Sequence, residues 1–213
     1  MIKSEIIDRF ALPDGTGEMT LSRRGTELAI RVRGVELMNT RNHVSEDELG
    51  FYAARLVEGK QTARVMIGGL GLGFTLRAVL KATAPGVHVD VVEIFGKVIE
   101  WNRAHTGAPV THERVTVVEN DVAVVIRESI GLYDAIVLDV DNGPDPVFDA
   151  NAALYQKKGL ADARRALAPG GGLAVWSAFE SPQFTRWLHE VGFTAECHTV
   201  RAYGAKHFIW LAR

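Results

Sequence analysis

The stretch that decides the fold is MIGGLGLGFTLRAVLK, residues 66–81. A short apolar run leads into four glycines, and a helical pattern follows them. Glycine lets a backbone turn sharply and approach a ligand closely, and the N-terminus of the next helix offers unpaired N–H groups. The order strand, glycine loop, helix therefore predicts a nucleotide site, although a turn that only packs the helix on the strand is the alternative. The candidate binding residues are Gly68, Gly69, Gly71 and Gly73.

Apolar strands and helical segments alternate on the C-terminal side of this loop. Five strand-like segments rich in Val, Ile and Leu are separated by helical patterns, which is typical of a parallel sheet buried on both faces. Two further segments, FTAECHTVR and KHFIWLAR, follow each other with no room for a crossover helix, so they predict an antiparallel pair. We therefore expect an α/β fold: a doubly wound, Rossmann-like, seven-stranded sheet whose last strand is antiparallel.

The N-terminal side of the loop has a different pattern. GEMTLSRR and TELAIRVRG show the mixed alternation of short strands. Ser45 and Glu48 then form the S-x-x-E pattern of a capping box, ahead of apolar positions with helical spacing, and Gly59 is a natural stop. The sequence predicts a small β-meander plus helix over residues 1–60 and a ligand-binding domain over residues 61–213.

Composition excludes several classes of protein. The 213 residues are 47% hydrophobic with a net charge of −2, and no basic domain indicates a nucleic-acid partner. No apolar run is long enough for a membrane span, and the seven histidines and one cysteine lack metal-ligand spacing. The first ten residues, MIKSEIIDRF, carry acids too early for a signal peptide. We expect a cytoplasmic protein without a metal.

Two acids follow the second and third predicted strands. Glu93 ends the second strand, where a carboxylate accepts hydrogen bonds from ribose hydroxyls. Asp121 follows the third strand; it can reach an adenine amino group and also suits a helix N-cap. The dinucleotide pattern G-x-G-x-x-G fits poorly, because Phe74 and Leu76 occupy the places of its last glycine. The residues favour adenosine with a small tail, such as S-adenosylmethionine.

Further polar residues follow the fourth and fifth strands. Asp139 and Asp141 share one side if the fourth strand continues through Asp141, and a carboxylate there attracts a cationic amine and removes its proton. They are the candidate catalytic residues, with a solvated turn as the alternative for Asp141. Trp176 and Glu180, just past strand five, are candidates for the acceptor pocket.

Several of these segments resemble one known family. HVSEDELGFYAARL is similar to the family pattern Q-x-T-x-x-D-E-x-x-Y-H-E, and IGGLGLGFTLRAVLK is similar to the glycine loop G-G-G-D-G-G-x-x-R-E. VVEIFGKVIEWNR resembles V-E-I-D-x-x-V-I-E. YDAIVLDVDNGPD resembles Y-D-x-I-I-x-D-x-x-D-P. These are motifs of the spermidine synthases, which are aminopropyltransferases on a class I S-adenosylmethionine-dependent methyltransferase fold. The resemblance covers residues 35–213, most of the chain.

The resemblance implies roles where residues match. Glu93 matches the acid that holds the ribose, and Asp121 the acid on the adenine side. Asp139 matches the aspartate that orients and deprotonates the attacking amine, and Tyr52 matches a tyrosine of the acceptor pocket. His43 stands where the family has its leading glutamine, which implies a place over the site, with an ordinary surface histidine as the alternative. The family also implies decarboxylated S-adenosylmethionine as donor and a homodimer.

The departures from the family concern the transferred group. In the family, an aspartate of the glycine loop interacts with the free amine of the decarboxylated donor. This chain has no acid there, and Leu70 and Gly71 stand around that place. Asn142 replaces the second aspartate of the catalytic loop. We therefore expect an S-adenosylmethionine-dependent methyltransferase acting on a small molecule such as an amine. The alternatives are aminopropyl transfer to a polyamine, a non-catalytic adenosine-nucleoside binder and, less favoured, a nicotinamide dehydrogenase.

Overall fold

The computed structural model of the protein describes residues 3–145 and 149–213. Within these residues the N-terminal part forms an antiparallel sheet in the order β1-β2-β3-β4. The two central strands were predicted. The outer two were not, because one is largely exposed and irregular and the other is only five residues long. The strands are β1 (Glu5–Ala11), β2 (Glu18–Arg24), β3 (Glu27–Val32) and β4 (Val35–Asn39).

The large sheet has seven strands in the described residues, in the order β10-β11-β9-β8-β5-β6-β7. Strands β5 to β9 are parallel, and β11 is antiparallel to both of its neighbours, β9 and β10. The predicted doubly wound α/β sheet with an antiparallel end is confirmed. Its strands are β5 (Thr62–Gly68), β6 (Gly86–Glu93), β7 (Val115–Glu119), β8 (Tyr133–Leu138), β9 (Leu167–Ser177), β10 (Ala195–Ala202) and β11 (Ala205–Ala212).

Helices cover both faces of the large sheet. Alternate strand residues divide the core into two apolar clusters, so that Ile67 faces one helical layer and Met66 the other. The first layer contains α1 (Val44–Leu56), α2 (Phe74–Ala82) and α3 (Gly96–Trp101), the last extended by a π-helical turn, Asn102–Thr106. The second contains α4 (Val122–Glu128), α5 (Asp149–Tyr155), α6 (Lys157–Ala166) and α7 (Pro182–Glu190). In the described part of the chain, none of these helices is long and apolar enough to cross a bilayer.

Helix α1 joins the N-terminal part to the large sheet. The capping box predicted at its start is wrong: the helix begins at Val44, and the Ser45 hydroxyl donates to the Glu46 carboxylate instead. Gly50 allows α1 to lie close to α2, because a Cβ there would be 2.4 Å from that of Ala78. Since α1 also packs against β9, it brings its first turn to the carboxyl edge of the sheet. The domain boundary near residue 60 stays a prediction.

Candidate functional site

The glycine loop lies tightly against the end of the neighbouring strand. The N–H of Asp139 donates to the carbonyl of Gly68, and the N–H of Gly69 donates to the carbonyl of Val92, each over 2.9 Å. Gly69 has a φ of 88°, and a Cβ on it would lie 2.2 Å from the carbonyl oxygen of Asp139. Only glycine satisfies both the left-handed backbone and this close approach.

A cavity opens where this loop meets the ends of β6, β7 and β8. Its polar wall holds two of the four predicted glycines and four of the five predicted acids: Gly69, Gly71, Glu93, Asp121, Asp139 and Asp141. The other two glycines, Gly68 and Gly73, approach Val122 and Ala108 instead and so serve packing. The N-terminal sheet contributes Met19, Ile30, Leu37 and Met38 to the apolar wall of the cavity. The cavity therefore combines charged groups at strand ends with an apolar cover.

Glu93 is fixed at the cavity wall by backbone donors. One carboxylate oxygen accepts from the N–H of Leu70 over 3.0 Å and the other from the N–H of Phe95 over 2.9 Å. Burial raises the pKa of Glu93, and the backbone hydrogen bonds oppose that rise. The side chain that anchors the loop also lines the cavity, where its carboxylate can face a ligand hydroxyl.

Asp121 has the helix-capping position that the sequence predicted. It is the N-cap of α4, and its side chain accepts from the N–H of Ala123 over 2.8 Å. The residue is exposed and also lines the cavity. The cap accounts for one lone pair of one carboxylate oxygen, so the rest of the carboxylate remains able to accept from a ligand.

Asp139 lies partly buried between the cavity and helix α2. The Thr75 hydroxyl donates to its Oδ2 over 2.5 Å. Burial and, second, repulsion by Glu46 raise the pKa of Asp139 to about 7, while the Thr75 hydrogen bond lowers it. A carboxyl group with such a pKa exchanges a proton readily near neutral pH, which suits a general base.

Asp141 reaches the same cavity by a different route from the predicted one. Strand β8 ends at Leu138, and Asp141 has a left-handed φ of 56°, so strand alternation does not place it and that argument was wrong. The turn nevertheless brings Asp141 to the cavity wall, where its Oδ2 accepts from the side-chain amide of Asn151 over 3.2 Å.

Glu46 is a nearby carboxylate that the sequence did not single out. It lies in the first turn of α1, where its Oε2 accepts from the Ser45 hydroxyl over 2.6 Å and where burial raises its pKa. Its charge contributes to the raised pKa of Asp139. An acid in the first turn of a helix is ordinarily explained by the helix dipole, so the sequence held no distinguishing signal.

The residues predicted for the acceptor pocket lie elsewhere. None of Tyr52, His43, Trp176 or Glu180 is among the described residues that line this cavity. The Tyr52 ring stacks on His198 with centroids 4.6 Å apart, and the Trp176 ring stacks on His207 at 5.3 Å. Because Trp176 pairs with Ile209, and Ile209 with His198, these rings share the face of the sheet that α1 covers.

The other two predicted residues, His43 and Glu180, lie apart from both the cavity and these rings. His43 stacks on Phe74 at 4.0 Å, and its Nδ1 lies 2.8 Å from a carboxylate oxygen of Asp47. Glu180 is exposed. Burial and, second, the charge of Glu180 raise the pKa of Cys197 to about 11. The structure does not bring His43 or Glu180 to Asp139.

The rings under α1 include buried polar atoms that make no hydrogen bond. Within the described ranges these are Trp176 Nε1, His198 Nε2 and His207 Nδ1, although His198 Nε2 lies 3.5 Å from a carboxylate oxygen of Glu196. Burial lowers the pKa of His207 and so favours its neutral form. Buried polar groups without hydrogen bonds are costly. Trp176 lies on β9, beside the strand that leads to Asp139, so these rings form a second polar region at this edge of the sheet. In the described part of the chain, His, Cys, Asp and Glu form no metal-binding group of three or more.

Comparison with known proteins identifies the family. The family model described as the spermine/spermidine synthase domain matches residues 54–208. The chain belongs to the spermine/spermidine synthase family. The resemblance seen in the loop and strand-end motifs is thereby confirmed, and it extends from helix α1 to strand β11.

Individual relatives agree with this assignment. The chain is 34% identical over 139 residues to polyamine aminopropyltransferase 2 of Streptomyces coelicolor, a match covering 61% of this chain and 24% of the relative. The chain thus matches only about a quarter of that relative's length.

Solved structures match the fold. A spermidine synthase in complex with the transition state analogue AdoDATO has a TM-score of 0.76 at 17% identity, covering 97% of this chain and 71% of that one. The spermidine synthase of Thermotoga maritima has a TM-score of 0.77 at 19% identity, with 97% and 72% covered. Human methyltransferase-like protein 13 in complex with SAH has a TM-score of 0.59 at 20% identity, covering 79% of this chain and 78% of that one. These likenesses establish a methyltransferase-like fold.

Proposed function

We propose that this protein is an aminopropyltransferase that uses decarboxylated S-adenosylmethionine as donor and a small amine as acceptor. The observation that carries the proposal is Asp139, a carboxyl with a pKa raised to about 7, at the wall of a cavity that glycine backbone and strand-end acids line. Family membership supports the aminopropyl reaction better than the methyl transfer that the sequence alone favoured.

The cavity fits an adenosine sulfonium. Glu93 would accept from the ribose hydroxyls, and Asp121 would face the adenine. The backbone at Gly69 and Gly71 leaves space for the tail, while the N-terminal sheet covers the apolar side. When bound, the donor supplies a carbon beside a sulfonium, from which the sulfur leaves as a neutral thioether.

Asp139 would act on the acceptor. Amines are protonated at neutral pH and have no free lone pair, so one proton must leave before the nitrogen can attack. An ionised Asp139 attracts the ammonium and takes that proton, and Asp141 adds negative charge at the same wall. Tyr52 and Trp176 would line the far end of the acceptor site, since their rings cover the face of the sheet beside Asp139.

Methyl transfer from S-adenosylmethionine is the second candidate, favoured by the loop itself. Leu70 is a core residue whose N–H is bound to Glu93, so this loop position provides no carboxylate for the free amine of the decarboxylated donor. A homodimer, a cytoplasmic location, roles for His43 and Glu180, and the absence of metal, membrane and nucleic-acid partners remain predictions.

The test is a turnover assay with each donor separately and a panel of mono-, di- and triamines. Mass spectrometry distinguishes products that gain an aminopropyl group from those that gain a methyl group. We expect aminopropylated amines from the decarboxylated donor only. Methylated products alone would overturn the proposal in favour of the second candidate, and the Asp139→Asn variant controls for uncatalysed transfer.

A further inference from the structure

The stacked rings under α1 continue the row of residues that Asp139 begins. Strand β8 pairs with β9, and Leu138 lies opposite Val175. Asp139 and Trp176 are the next residues of these neighbouring strands, which lie about 5 Å apart. The Asp139 carboxylate meets Thr75 of α2, and Trp176 packs against the core cluster that contains α1 and α2. Both side chains therefore lie on the face of the sheet that the first helical layer covers.

Trp176 and His207 carry buried nitrogen atoms on neighbouring rings. The two rings stack with their centroids 5.3 Å apart and an interplanar angle of 27°. Trp176 Nε1 and His207 Nδ1 are both buried, and neither makes a hydrogen bond to a described residue. The two residues as a whole are only partly buried. A ligand that enters beside one ring therefore meets the other.

The chemistry of the two nitrogen atoms restricts the group that can pair with them. An indole N–H is only a donor, so Trp176 needs a hydrogen-bond acceptor on the ligand. Burial lowers the pKa of His207 and favours its neutral ring, in which each nitrogen donates or accepts according to the tautomer. A hydroxyl group accepts from Trp176 and can either donate to His207 or accept from it. It therefore suits both tautomers.

The other common end groups of a small amine fit this pair of rings less well. An ammonium group has donors only, so it leaves the Trp176 N–H unpaired, and a methyl group leaves both nitrogen atoms unpaired. A carboxylate accepts from Trp176 but is repelled by the charges of Asp139 and Asp141 at the same edge. The Arg55 guanidinium lies over the Tyr52 ring, 5.4 Å from its centroid.

We propose that the acceptor is a hydroxylated amine, whose nitrogen reaches Asp139 and whose hydroxyl group pairs with Trp176 and His207. This inference rests on the proposed function and names the class of acceptor for it. Trp176 and His207 are then specificity-determining residues, because they select the far end of the acceptor and take no part in removing its proton. The step of about 5 Å between β8 and β9 suits a short carbon chain between nitrogen and oxygen.

The first test compares four amines of matched length that differ at the far end. They are 4-amino-1-butanol, 1,4-diaminobutane, 1-aminopentane and 4-aminobutanoate, which end in a hydroxyl, an ammonium, a methyl and a carboxylate group. Calorimetry measures the binding of each amine to the protein in the presence of S-adenosylhomocysteine. We expect 4-amino-1-butanol to bind about tenfold more tightly than each of the other three, because it alone pairs with both rings without charge repulsion.

The second test removes the indole N–H and keeps an aromatic ring. In Trp176→Phe, the preference for 4-amino-1-butanol over 1-aminopentane should fall from about tenfold to about twofold or less, with 1-aminopentane binding as in the wild type. His207→Phe should lose part of the preference. Trp187→Phe, on α7 in the other helical layer, is the matched control and should keep it. A general loss of stability does not mimic this result, because each ratio compares two ligands on one variant.

The outcomes separate this inference from the proposed function. If 1,4-diaminobutane binds as tightly as 4-amino-1-butanol, the inference is overturned, whereas aminopropylation of the diamine would still support the proposed function. The inference also fails if none of the four amines binds, or if Trp176→Phe keeps the wild-type preference. If the hydroxylated amine is preferred through Trp176 but only methylated products form, the inference stands and the proposed reaction fails.

Discussion

The two halves of the carboxyl edge of the sheet differ in how they are built. The donor half, around the glycine loop, has its acids at the ends of successive strands, and Glu93, Asp121 and Asp139 line one cavity. The other half, under α1, consists of stacked rings such as Tyr52 on His198 and Trp176 on His207. Backbone topology fixes the first half, whereas side-chain packing of distant segments fixes the second.

The largest expected effect is on the reaction itself. Asp139→Asn keeps the shape of the side chain but removes the proton acceptor, so we expect kcat to fall about 100- to 10,000-fold with little change in donor affinity. Steady-state kinetics and calorimetry with the donor measure the two quantities. Glu128→Gln, at an exposed end of α4, is the control. If donor affinity fell as much as kcat, Asp139 would act in donor binding rather than on the acceptor.

The next effect concerns the loop backbone. Gly69→Ala combines a left-handed φ with a Cβ 2.2 Å from the carbonyl oxygen of Asp139, so we expect a loss of about 3 kcal/mol in unfolding free energy. Gly107→Ala is the control, since its φ of 65° is also left-handed but its Cβ would meet nothing within 4 Å. It should cost only about 1–2 kcal/mol. Equal losses in chemical denaturation would contradict the close approach.

A smaller effect is expected at the ribose position. Glu93→Gln replaces a carboxylate with an amide that can accept at only one atom, so it should weaken donor binding about 10- to 100-fold. Trp176→Phe, a substitution in the other half, should leave donor affinity unaltered. Calorimetry with S-adenosylhomocysteine measures both. Similar losses in the two variants would remove the distinction between the halves.

The smallest effect links the pKa of Asp139 to stability. Its pKa of about 7 lies above the ordinary 3.8, so between these values the folded protein holds a proton that the unfolded chain has released. Stability from this group is therefore present at low pH and falls as pH rises from about 4 to 7. Asp139→Asn should be more stable than the wild type at pH 8, by about 1 kcal/mol or more, and no more stable at pH 4. Denaturation at both pH values checks this, and a pH-independent difference would contradict it.

The same contrast explains what the sequence could predict. Periodicity and the glycine loop predicted the large sheet and the positions of Glu93 and Asp121, because strand order brings those ends together. The capping box at Ser45 was wrong, since the N-cap is His43, two residues earlier, and the Ser45 hydroxyl donates to Glu46. Asp141 reaches the cavity through a left-handed turn that no pattern announces. The contact between Glu46 and the Asp139 region depends on how α1 packs, which local sequence does not encode.

We propose that this cavity serves aminopropyl transfer although the loop around Leu70 and Gly71 lacks the acid of the family. Calorimetry with decarboxylated S-adenosylmethionine and with S-adenosylmethionine, under identical conditions, tests it most directly. We expect tighter binding of the decarboxylated donor, because the acids at the wall, Asp139 and Asp141 among them, repel a donor carboxylate and attract its amine. Tighter binding of S-adenosylmethionine would contradict aminopropyl transfer and favour methyl transfer.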